Sequence, residues 1–127
     1  MKRSLHDPIV STHALFLMNS ALYIAEGFVF LSLVLLINTI ASFLYHLSNE
    51  TNKFWRKADH ILCVISLAFI FSYLGIYSSG LEILGCVIWL VFSLMIYRTS
   101  RLDYEFWHAL WHGCVFFGNV LVWYCLV

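Results

Sequence analysis

From Ile61 to Val127 the chain is almost one apolar stretch, cut twice by short polar clusters. The three pieces, Ile61–Ser78, Leu81–Tyr97 and Phe106–Val127, are nearly free of Asp, Glu, Lys and Arg. A helix needs about 20 such residues to cross the hydrocarbon core of a bilayer, within a range of about 17–25. Each piece therefore predicts one membrane-spanning helix. Composition extends this to the whole molecule: 62 % of its 127 residues are hydrophobic and 11 % charged, where soluble domains carry about 25 % charged residues. The expectation is an all-α integral membrane bundle forming one domain over residues 1–127. Net charge is zero, which gives no case for nucleic-acid binding.

The stretch from Pro8 to Leu47 is too long for one span and long enough for two. Pro8 suits a helix start, and Glu26-Gly27 is the acid-plus-glycine break in the middle. Five spans follow, at about 9–25, 28–48, 59–78, 81–98 and 105–127. The first is short and polar for a span, since His13 and Asn19 lie within it. The opening MKRSLHDPIVSTHALF is basic but offers no small-residue cleavage site, so it is expected to be a retained helix rather than a signal peptide.

Charge supports this count. With five spans, Lys2, Arg3, Lys53, Arg56, Lys57, Arg98 and Arg101, all seven basic residues, fall on one side. The positive-inside rule makes that side cytoplasmic, with the N-terminus inside and the C-terminus opposite. Four spans would split the basic residues. The sequon Asn49-Glu50-Thr51 would then face the cytoplasm and stay unglycosylated. The four cysteines, Cys63, Cys86, Cys114 and Cys125, sit inside apolar runs without metal-type CxxC spacing and are expected to pack as small hydrophobes.

Ionisable residues inside spans point to function, and here they gather at one end. Ser42 and His46 lie four apart near the end of the second span, Asp59 and His60 open the third, and His108 and His112 lie four apart in the first turns of the fifth. Residues four apart share a helix face. Three bundled helices can thus aim these side chains at one point near the basic interface. Three imidazoles suit zinc, and a catalytic zinc keeps three protein ligands and an open position. The expected ligands are His46, His108 and His112, with Asp59 as outer partner or general base and Ser42 as hydrogen-bond donor. The competing explanation is an aromatic belt of Tyr104, Trp107 and Trp111 with interfacial histidines. His6, in the tail, and His13, which has no motif partner, are expected outside the site. So is His60, about 100° round the helix from Asp59. Glu26 and Glu82 are expected at turns, Asp103 and Glu105 as solvated acids, and Asn38 and Thr39 as interhelical hydrogen-bonding groups.

These residues resemble the signature of the CREST superfamily of membrane hydrolases, which includes the alkaline ceramidases, the adiponectin and progestin receptors, and myomaker and its relatives. That signature is SxxxH at the end of one helix, Asp at the start of the next, and HxxxH in the last. Here these are Ser42-Phe43-Leu44-Tyr45-His46, then Asp59, then His108-Ala109-Leu110-Trp111-His112. THALFLMNSALYIA and FLYHLSN are most similar to the myomaker-like branch. The resemblance covers about 80 residues at the level of motifs, and this chain has room for five spans where the family has seven. Losing a pair keeps the motif helices parallel but thins the wall round any lipid cavity, which makes a homo-oligomer attractive.

The resemblance implies a zinc ion (Zn2+) on His46, His108 and His112, with Ser42 and Asp59 as the catalytic pair. The implied activity is hydrolysis of a lipid amide or ester, as in ceramidases. One alternative is a non-catalytic, myomaker-like protein of membrane remodelling or signalling with structural zinc. Another is a small transporter or assembly subunit whose histidines carry protons.

Overall fold

The structure, a computed structural model, describes residues 5, 7–99 and 103–127. Lys2, Arg3, His6 and Arg101 therefore lie outside the described residues. The described chain is helical throughout: α1 (Pro8–Ser11), α2 (His13–Ala25), α3 (Val29–Leu47), α4 (Lys53–Tyr77), α5 (Gly80–Thr99) and α6 (Tyr104–Leu126). α1 and α2 act as one rod, because Thr12 between them keeps right-handed helical dihedrals. With that pair merged, five helices are long and apolar enough to cross a membrane.

Local chemistry sets each boundary. Asp7 caps α1 by accepting from the Ile9 amide at 2.9 Å, with Pro8 as the first helical residue. α2 ends where Gly27 takes a positive φ of 82°. Gly27 N–H then bonds the Ile24 carbonyl and Phe28 N–H the Tyr23 carbonyl, the paired bonds of a Schellman stop. The break expected at Glu26-Gly27 is where the chain turns. α3 ends with the same bond pair, Asn49 N–H to His46 and Glu50 N–H to Tyr45, and Asn49 in the left-handed position that Gly27 fills before α3. Ser79 and Glu82 form a reciprocal cap before α5: the Ser79 amide donates to Glu82 Oε2, and Ser79 Oγ accepts from the Glu82 amide. Asp103 is exposed, as expected of a solvated acid, and also caps α6 by accepting from the Phe106 amide.

α4 departs from expectation. It begins at Lys53, where the sequence suggested a span opening at Asp59. The Asn52 side chain accepts from the amides of Phe54 and Trp55, and Lys, Arg and Ala that follow are good helix formers. The basic loop is thus helical, and Asp59 lies in the second turn of α4.

α3 packs between α2 and α4, and α6 touches α1, α2, α4 and α5. α5 leans on α6. A Cβ on Gly118 would come within 2.7 Å of Trp89 Cδ1, so the missing side chain makes room for the indole. Trp89 Nε1–H donates to the Cys114 carbonyl at 2.8 Å and pins the ring there. The apolar core, Tyr23, Leu31, Leu35, Ile70, Leu74, Cys86, Val122 and Leu126, gathers toward the end of the bundle that holds the α2–α3 turn. The described cysteines are free thiols.

Candidate metal centre

Four histidines meet at the opposite end. His46 is the next-to-last residue of α3, His108 and His112 are in the first turns of α6, and His13 opens α2. All four are buried, His13 at 3 %, His46 and His112 at 2 % and His108 at 4 % exposure. Ring centroids are 4.8 Å apart for His13–His112, 5.2 Å for His46–His112 and 5.4 Å for His13–His46. One ring nitrogen from each of His13, His46 and His112 lies within 4.8 Å of the other two, close enough to hold a metal ion.

This triangle differs from the expected one. The sequence pointed to His46, His108 and His112; the structure puts His13 into the set and His108 at its border. The His108 ring stacks beside the others, 5.0 Å from His46 and 4.9 Å from His112. Tyr104 at 4.8 Å and Trp111 at 5.2 Å pack against it as well. His13 was missed because it has no HxxxH or SxxxH partner in sequence. The signal that could have found it is the general one: an ionisable residue in an apolar span, followed by Asn19.

The hydrogen bonds fix the tautomers. His13 Nδ1 faces the carbonyls of Ile9 (2.9 Å) and Val10 (3.1 Å), which only accept, so Nδ1 carries the proton. His46 Nδ1 faces Glu50 Oε1 at 3.1 Å and donates to that carboxylate. His112 Nδ1 lies 2.8 Å from Thr12 Oγ1. The Thr12 hydroxyl proton goes to the Ile9 carbonyl at 2.8 Å, so Thr12 accepts from His112. In all three rings Nδ1–H is spent on oxygen, which leaves Nε2 as the nitrogen with the lone pair. Metal-binding histidines are held in this way, with the second ring nitrogen donated to a carbonyl or carboxylate. The donor set therefore fits a cation that takes imidazole.

Ser42 and Asp59 join the cluster as expected. Ser42 Oγ is 3.1 Å from His13 Nε2 and also hydrogen-bonds the Asp59 side chain. The hydroxyl has one proton and two acceptors beside it. A ligand on the His13 lone pair would leave that proton to Asp59. His60 stays outside: it is exposed, and its Nδ1 bonds the Arg56 carbonyl in its own helix at 2.6 Å. Thr39, expected to bridge helices, instead bonds the Leu35 carbonyl one turn back. Lys53, Arg56 and Lys57 in the first turns of α4, and Arg98 in the last turn of α5, lie at this same end.

No family model matches the chain, and neither a curated protein nor a solved structure does. What the molecule shows by itself is an all-helical chain with five helices apolar enough to span a membrane and three buried histidines placed to bind a metal.

Proposed function

We propose that the chain is a multi-pass membrane protein that binds one zinc ion at its cytoplasmic end and hydrolyses an amide or ester bond of a membrane lipid. The observation that carries this is that one ring nitrogen from each of His13, His46 and His112 lies within 4.8 Å of the others, with Ser42 linking His13 to Asp59. Zinc supplies a Lewis acid for a scissile carbonyl and acidifies water enough to provide a nucleophile near neutral pH. The protein does the rest. His13, His46 and His112 would hold the ion, Asp59 would take and return the proton, and the Ser42 hydroxyl, donating to Asp59, would hold that carboxylate beside the ion. A CREST-like signature, SxxxH, Asp and HxxxH, supports the assignment, with His13 standing in the ligand set where that signature uses His108. The positive-inside rule applied to the basic residues at this end supports a cytoplasmic orientation, under which the sequon at Asn49 would go unused.

One observation favours a second reading, a non-catalytic protein of membrane remodelling or signalling with structural zinc. His108 brings a fourth imidazole to the border of the cluster, and four-coordinate zinc sites are closed and structural. Against it stands a cavity of about 310 Å³ bordered by His13, Leu17, Ile40 and Phe43, within the size range of ligand pockets.

The first experiment is metal content on detergent-purified protein, for which we expect about one zinc per chain. Wild type is compared with His13→Ala and His108→Ala. Outer partners of a metal cost about 10–100-fold in affinity when removed, so loss of a ligand exceeds that range. We expect His13→Ala to exceed it and His108→Ala to stay within it. Metal-free wild type overturns the site, and the reverse order of the two variants restores His108 as the ligand. Asp59→Asn then separates the readings: in a hydrolase it keeps zinc and loses turnover of ceramide or phospholipid, whereas a structural site has no turnover to lose.

A further inference from the structure

We propose that Glu50 and Tyr104 form a positioning clamp for His46, an inference that rests on the metal-centre reading above. α3 could end at its Schellman stop with Asn49 alone in the left-handed region. Instead Glu50 follows with φ 61° after Asn49 at 57°. Asparagine tolerates that conformation, whereas glutamate rarely adopts it. The second left-handed residue turns the chain back over the helix end, and the Glu50 side chain returns to the ring four residues behind it, where Oε1 accepts from His46 Nδ1 at 3.1 Å. The other oxygen, Oε2, accepts the Tyr104 hydroxyl at 2.6 Å.

The geometry gives the clamp a task. Tyr104 is the first residue of α6, and its ring lies 4.8 Å from that of His108, four residues on. One carboxylate thus joins the end of α3 to the start of α6, the two helices that carry His46 and His112. It sets the His46 tautomer, since a carboxylate accepts and so keeps the proton on Nδ1, leaving Nε2 for a metal. It also sets the ring rotation, because the Nδ1–Glu50 axis fixes where Nε2 points. Neither residue belongs to SxxxH, Asp or HxxxH. The other two histidines reach the same state through less demanding partners, His13 through carbonyls of its own helix and His112 through Thr12. His46 alone among the three depends on a charged group in a loop.

The test is zinc affinity measured by chelator competition on purified full-length protein, with the electronic spectrum of the cobalt-substituted protein as a second readout. Outer-shell partners are worth about 10–100-fold in metal affinity. Glu50→Ala is expected to weaken zinc binding within that range and shift the cobalt bands. Glu50→Gln, which keeps an acceptor oxygen at the same reach, should recover most of the loss, and Tyr104→Phe, which leaves the Glu50–His46 bond in place, should cost less than Glu50→Ala. A role confined to the helix end would lower thermal stability without touching the cobalt bands, and that result overturns the clamp. So does unchanged affinity in Glu50→Ala beside a zinc-loaded wild type. Wild type without zinc overturns the metal centre itself, and the clamp with it.

Discussion

The two ends of the bundle use polar side chains in opposite ways. At the end with the α2–α3 turn, buried hydroxyls are matched to backbone carbonyls. Tyr23 donates to Asn119 at 2.8 Å, Ser78 to Cys125 at 3.0 Å and Ser32 to Ser20 at 2.6 Å, round a core of Leu31, Leu35, Ile70 and Leu74. Phe28 packs edge-on to Tyr23, Tyr73 and Tyr77 and closes that end. At the histidine end the side chains bond one another: Thr12 with His112, His13 with Ser42, Glu50 with His46 and Tyr104. The first arrangement ties helix to helix through hydroxyl–carbonyl bonds. The second brings one ring nitrogen of each of three histidines within 4.8 Å of the others. One end is built to hold the helices together, the other to hold something else.

The contrast predicts that the two ends fail independently. The largest effect is expected from His46→Ala with His112→Ala. Metal content should fall from about one ion per chain to none, while the far end stays folded, as read by protease resistance near the α2–α3 turn. Retained metal would sink the assignment of the lone pairs. Leu74→Ala is next: a fully buried leucine in the core should cost about 2 kcal/mol or more in reversible detergent unfolding. The folded fraction should bind metal as before, and a parallel fall in affinity would show that the ends are coupled. Gly118→Ala forces a methyl against the pinned Trp89 ring. It should cost about 1–3 kcal/mol by overpacking, with disulfide crosslinking of cysteines placed on facing turns of α5 and α6 reporting the displacement. Tyr23→Phe should have the smallest effect. It removes one interhelical hydrogen bond, worth about 0.6–1 kcal/mol, and a metal-affinity change there would break the separation.

Much of the fold is legible in the chain. Apolar run lengths place the helices, and Glu26-Gly27 and Ser79-Gly80 place two turns, because lipid crossing demands length and chain reversal demands a backbone such as Gly27 supplies. The start of α4 was hidden, since a basic segment outside an apolar run reads as loop although the Asn52 cap and good helix formers extend the helix. The site was half legible. SxxxH and HxxxH mark positions four apart that share a face, which suffices to bring His46 and His112 together with Ser42 and Asp59.

The sequence by itself determined five apolar helices and a polar cluster at their basic end, because both follow from spacing along one helix and from the cost of charge in an apolar span. Which histidines form the triangle was decided by tertiary structure alone. His108 and His112 share a face, yet His13 from the first helix is the one whose ring nitrogen lies within 4.8 Å of those of His46 and His112. The choice depends on how α2 leans against α3 and α6 and on where each Nδ1 proton finds its oxygen. Those are properties of packing between segments some 30 to 100 residues apart in the chain, which no local motif encodes.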